Sequence, residues 1–161
     1  MKNNEAPRHA SATTLAEGPQ ERLVVREEEN LHVLARFMRA LILNLLKEPG
    51  KVKALEKMNL VVAIEPTAHE ENAFTITFSG GRAILECGVV PKPNIILKCE
   101  PAVLMKLARV PAGPEAIQFF RTPEGRDLVA KMLSGELKMK GVVRHPLGMM
   151  KFADFLALSN G

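Results

Sequence analysis

The chain has 161 residues, enough for one domain with a substantial core and too few for two comfortable ones. It is 47% hydrophobic and 25% charged, an ordinary globular balance, with a net charge of +4. No run reaches the roughly 18 apolar residues of a membrane span, and Met1-Lys-Asn-Asn-Glu lacks a signal peptide's apolar stretch, so a cytoplasmic protein is expected.

Residues 1–21 are rich in Ala, Thr, Asn, Pro and Glu without periodicity and read as a disordered tail, leaving 22–161 as a single domain. Arg22 to Asn30 is transitional, and Glu27, Glu28 and Glu29 suit the first turn of a helix, where carboxylates meet unpaired N–H groups. Leu34, Phe37, Met38, Leu41, Ile42 and Leu45 then follow three-four spacing with Arg36, Arg39 and Lys47 outward, which predicts an amphipathic helix stopped at Pro49-Gly50. Val52, Leu55 and Met58 predict a further short helix with Lys51, Lys53 and Lys57 outward.

Strand texture begins at Leu60. The compact run Leu60-Val-Val-Ala-Ile64 ends at Glu65-Pro66. In Ala73 to Phe78, Phe74, Ile76 and Phe78 share one face while Thr75 and Thr77 share the other. Ser79-Gly80-Gly81 signals a hairpin, with Arg82 to Cys87 as the returning strand and Asn94 to Cys99 as another after Pro91-Lys-Pro93. Four strands in this order suggest an antiparallel meander. Helical patterns resume at Glu100-Pro101, continue around Ile117, Phe119 and Phe120, and recur from Thr122-Pro123-Glu124 to Leu133, with Thr122 as N-cap.

The last quarter carries the strongest pattern. Glu136, Lys138 and Lys140 alternate with Leu137 and Met139, as in a short strand with one wet face. Pro146 opens a helix in which only Lys151 and Asp154 are polar before Ser159. At about 100° per residue those two lie roughly 60° apart, so most of the cylinder is apolar. Such a helix needs apolar cover on more than one side: a core, a partner or a bound lipid.

Catalytic and metal chemistry leave no trace of comparable strength. His9, His32, His69 and His145 lie far apart, without carboxylates or cysteines at metal-ligand spacing, and no nucleophile elbow, P-loop or dinucleotide fingerprint occurs. No catalytic residue, metal or cofactor is therefore expected. His145, before Pro146, suits either a solvent-facing turn or contact with a polar headgroup. Cys87 and Cys99 read as small buried hydrophobes or as neighbours on adjacent strands.

Charge is uneven: seven basic residues (Arg121, Arg126, Lys131, Lys138, Lys140, Arg144, Lys151) face three acids between Arg121 and Lys151. This bias suits a solvated basic face or transient contact with an anionic membrane surface through Lys138, Lys140, Arg144 and Lys151. Nucleic acid is not expected, because all seven aromatics are Phe within apolar patterns. An apolar ligand needs shape rather than a motif. At about 0.8 kcal/mol per buried methylene, a chain of roughly 16 carbons gains on the order of 10 kcal/mol before ordering costs. Met38, Met105, Met132, Met139, Met149 and Met150 suit either an adaptable lining or simple core.

Ser134-Gly-Glu-Leu-Lys-Met-Lys-Gly141, followed by the apolar helix from Leu147 to Leu158, resembles the closing strand and helix of the sterol carrier protein type 2 family. Asn94 to Leu107 resembles the strand and helix that precede them, and Phe74 to Glu86 the earlier hairpin. The resemblance covers about residues 31–158, with Pro111 to Lys131 longer than the family's pattern and expected to border the cavity. It implies an α+β fold: a five-stranded, mostly antiparallel sheet with helices mainly on one face, enclosing an apolar cavity. It also implies a non-catalytic carrier that shields a sterol-like, acyl or isoprenoid chain. Candidate lining residues are Phe74, Ile76, Phe78, Leu85, Ile96, Phe119, Phe120, Met132, Met139, Met150, Phe152 and Phe155, a set that one residue of strand register would alter. The alternative is an interaction or dimerisation module that uses the apolar closing helix, for example as an accessory factor in lipid or quinone metabolism. The lipid and the oligomeric state are left open.

Overall fold

The computed structural model of the protein describes residues 18–111 and 114–157. Most of the expected tail, Gly113, and the helix end at Leu158 lie outside the described residues. The element order is α1 (Pro19–Arg22), β1 (Leu23–Val25), α2 (Val33–Leu45), α3 (Pro49–Glu56), β2 (Leu60–Pro66), β3 (Phe74–Ser79), β4 (Arg82–Cys87), β5 (Ile95–Cys99), α4 (Pro101–Leu107), α5 (Glu115–Phe119), α6 (Pro123–Ser134), β6 (Lys138–Lys140) and α7 (Pro146–Leu156). Single 3-10 turns at Glu28–Asn30 and Glu70–Asn72 precede α2 and β3.

The strands form one six-stranded mixed sheet in the order β1-β4-β3-β2-β5-β6. This corrects the expected five strands and the simple meander. β2, β3 and β4 do form an antiparallel meander, joined at Ser79↔Arg82 through Gly80 (φ 58°) and Gly81 (φ 75°). β5, however, crosses to the far side of β2 and pairs with it in parallel, and β1 pairs in parallel with β4. Three residues of β1 are too few to show a period, and which neighbour β5 chooses is a tertiary matter that local pattern does not encode.

Thr75 secures the crossover between β4 and β5. It is the one polar core residue among those described, with its hydroxyl donating to the Gly88 carbonyl at 2.7 Å and accepting from the Val90 N–H at 3.2 Å. Asn94 ends the crossover, its Oδ1 accepting from the Val61 N–H at 2.7 Å and its own N–H donating to the Val61 carbonyl at 2.9 Å. Thr75→Val keeps the shape but strands two main-chain groups, so it is expected to cost about 1–3 kcal/mol in urea denaturation and to speed amide exchange at Val90.

Pairing fixes one core face: Leu60, Val62 and Ile64 lie opposite Phe78, Ile76 and Phe74, and Ile95 and Leu97 join them across β2. Met38, Ile42 and Leu45 of α2 and Leu55 of α3 cover this face, all fully buried. The expected carboxylate-rich first turn of α2 does not form, because Glu27 is left-handed (φ 53°) and the helix starts beyond it, at Val33. Glu28 instead reaches Arg39 at 3.0 Å. Thr122 does cap α6, accepting the Gly125 N–H at 3.2 Å, and Pro49, Pro101, Pro123 and Pro146 each open a helix, where no N–H is missed.

Candidate functional site

The site is built around α7. Its Phe152 and Phe155 meet Phe78 edge-on, with ring centroids 5.9 and 5.5 Å away, and all three rings are essentially unexposed. Edge-to-face packing sets the positive ring edge against the negative face and adds to the gain from burial. α7 also rests on α2 and α3. Gly148 lets its first turn approach β2, since a Cβ there would lie 2.7 Å from Leu60 Cδ1.

Lysines tie α7 to its neighbours. Lys51 Nζ donates to the carbonyls of Asp154 (2.5 Å) and Ala157 (2.6 Å), supplying a cation and donors where the helix leaves carbonyls unpaired. Lys51 was expected to turn outward. It is instead half-buried, and desolvation lowers its pKa, with Glu48 and Asp154 opposing that shift. Lys151 Nζ donates to the Lys57 carbonyl at 3.4 Å.

Of the candidate lining residues, Phe74, Ile76, Phe78, Leu85, Phe152 and Phe155 come together in one fully buried cluster. Phe119 and Met139 are half-buried against its margin. The others stand apart. Ile96 occupies the opposite sheet face beside Glu65, Lys98, Lys138 and Lys140, because Ile95 and Leu97 take the inward positions of β5. Phe120 and Met132 are partly exposed on the α5–α6 side, and Met150 points into solvent.

The expected basic patch likewise divides. Lys138 and Lys140 lie on the outer sheet face, whereas Arg144 and Lys151 join Lys57 and His145 around a pocket of about 350 Å³ at the start of α7. A larger apolar groove of about 560 Å³ opens between α2 and α4, lined by Leu34, Phe37, Pro66, Pro101 and Met105 among others. Phe37 was read as core. It flanks this groove because Ala35, Met38, Ile42 and Leu45 take the inward stripe of α2.

Cys87 and Cys99 are free thiols on β4 and β5, strands separated by β3 and β2, which removes the reading of adjacent neighbours. Burial pushes the Cys99 thiol up to about 11, where it stays protonated and a poor nucleophile at neutral pH. Among the described residues no group of His, Cys, Asp and Glu is placed to hold a metal ion, and no helix is long and apolar enough to cross a membrane.

No family model matches the chain, and no curated protein matches it. Among solved structures, a UbiJ-SCP2 ubiquinone synthesis protein is similar over 77% of this chain and 92% of that one, with a TM-score of 0.54 and 18% identity. A crystal structure of sterol carrier protein 2 aligns over 76% of this chain and 90% of that one, with a TM-score of 0.42 and 10% identity. The first likeness shows the fold: the chain has the α+β architecture of a sterol carrier protein type 2 domain.

Proposed function

We propose that this chain is a non-catalytic lipid carrier that shields an acyl, sterol-like or isoprenoid chain between the sheet and its helices, with α7 as the lid. The observation that carries this reading is the seating of α7. Its inner face is a ring contact with Phe78, reinforced by side-chain bonds from Lys51 and Lys151 rather than by a main-chain ladder. An element held in this way exchanges apolar contacts with the protein for apolar contacts with a ligand, without stranding main-chain hydrogen bonds. Swinging α7 outward would uncover Phe78, Leu60 and the α2–α3 face, which together offer an apolar lining with the Lys51 ammonium at its edge. Phe119 and Met139 at the margin would extend it. The fold shared with the UbiJ-SCP2 protein supports the same reading.

Native mass spectrometry of freshly purified protein is the decisive measurement. A co-purifying lipid, or uptake of added palmitate with a raised melting temperature, is the expected result. A chain that arrives empty, and that neither binds fatty acids and phospholipids nor melts higher in their presence, would overturn the carrier reading.

A further inference from the structure

The surplus apolar surface of α7 is not all turned inward. At about 100° per residue, Phe152, Phe155 and Leu156 fall on one side of the helix, and Leu147, Met150, Lys151 and Asp154 on the other. Burial agrees, since Leu147 is 71% and Met150 62% exposed, and Val143 in the preceding turn is 95% exposed. Large apolar side chains in such a row carry a cost in water unless something covers them. Cations surround them: Arg144 and Lys151 within the same segment, and Lys57 across the pocket. Among the described residues none of these three is paired with a carboxylate, whereas Lys98, Lys106 and Lys131 each have one. Asp154 is the acid on this stripe, and the Lys51 ammonium lies close enough to interact with it.

We propose that the outward face of α7 and the turn before it dock on an anionic lipid bilayer, with Val143, Leu147 and Met150 entering the interfacial layer and Lys57, Arg144 and Lys151 meeting lipid phosphates. Charge complementarity selects this occupant. A second copy of the chain would set the three unpaired cations against each other, whereas an anionic surface neutralises them while the apolar tips leave water. Each Lys or Arg held near such a surface strengthens binding roughly fivefold, and the effect fades within a Debye length, so docking weakens with salt. Docking also engages the lid, because phosphates compete with the Lys57 carbonyl for the Lys151 ammonium. This coupling to uptake rests on the carrier reading; the docking face does not.

The test is co-sedimentation of the full chain with vesicles of phosphatidylcholine alone or mixed equally with phosphatidylglycerol. Binding to the mixed vesicles only, reversed by salt, is expected. Leu147→Glu with Met150→Glu should lower the bound fraction at least about tenfold. Arg144→Glu with Lys151→Glu should lower it at least about twentyfold, with reversal of the exposed Arg109 as the control. Melting temperatures close to the parent's would show the Leu147 and Met150 variant folded. Equal binding to neutral vesicles, unchanged binding by either double variant, or a dimer that Leu147→Glu dissolves would overturn the proposal. Uptake of palmitate without docking overturns this proposal and keeps the carrier reading. Docking without uptake does the reverse.

Discussion

Phe155→Ala is expected to destabilise the fold by about 3–5 kcal/mol, measured as a lower urea midpoint with little change in slope. The ring is wholly buried and stands edge-on to Phe78 at 5.5 Å, beside the Phe78–Phe152 contact at 5.9 Å. Truncation removes the transfer gain of the ring, leaves a void facing a hydrogen-bonded sheet that yields little, and forfeits an aromatic pair worth about 0.5–1.5 kcal/mol beyond its area. Met150→Ala, about one and a half turns earlier and so on the outward face, should change stability by no more than about 0.5 kcal/mol. That contrast locates the inner face of α7 without any ligand. A loss below about 1 kcal/mol at Phe155 would mean that α7 does not sit on Phe78 in solution. The same burial alters how the interaction-module alternative must be tested. A charge at Phe155 would disturb the core, so self-association has to be probed at Leu147 and Met150 instead.

Legibility in the sequence followed the strength of local periodicity. Phe74, Ile76 and Phe78 alternate with threonines, and the Ser79-Gly80-Gly81 turn fixes their pairing with Cys87, Leu85 and Ala83, so that part of the core follows from the chain alone. In Ile95-Ile96-Leu97 every residue is apolar and alternation is silent. The parallel pairing Val62↔Ile95 chooses the face and sends Ile96 outward. α7 shows a different limit. Its composition revealed more apolar surface than one contact could cover, but the rotation of a nearly uniform cylinder is set by what it lands on. Phe78 and Leu60 fixed that rotation, putting Phe152 and Phe155 inward and Met150 outward. Met132 belongs to α6, which the ion pair of Lys106 with Asp127 at 2.7 Å ties to α4, a contact that no short window contains, and Phe120 follows α5 as its C-cap.

Gly141→Ala should be the more damaging of two glycine substitutions in the segment Ser134 to Gly141, at about 3–5 kcal/mol against about 1–2 for Gly135→Ala. Both glycines are left-handed, at φ 85° and 81°, so a side chain at either meets the same backbone penalty. Their surroundings differ. Gly135 ends α6 in open space, with Lys138 Cε at 3.7 Å as the nearest neighbour, whereas a Cβ on Gly141 would lie 2.0 Å from the Asn94 carbonyl oxygen. Asn94 cannot withdraw freely, because its main chain and side chain both bond Val61 and thereby hold β5 to β2 at the end of the crossover. The strain would therefore pass to the sheet edge and to the turn that launches α7. Leu137 and Met139 complete the logic of the segment, one buried and the other lying opposite Leu97, with the two glycines bracketing them as a helix stop and a close backbone crossing. Urea denaturation of both variants separates the two costs. Equal losses would leave only the backbone penalty and would show that the crossing at Asn94 is looser than 2.0 Å implies.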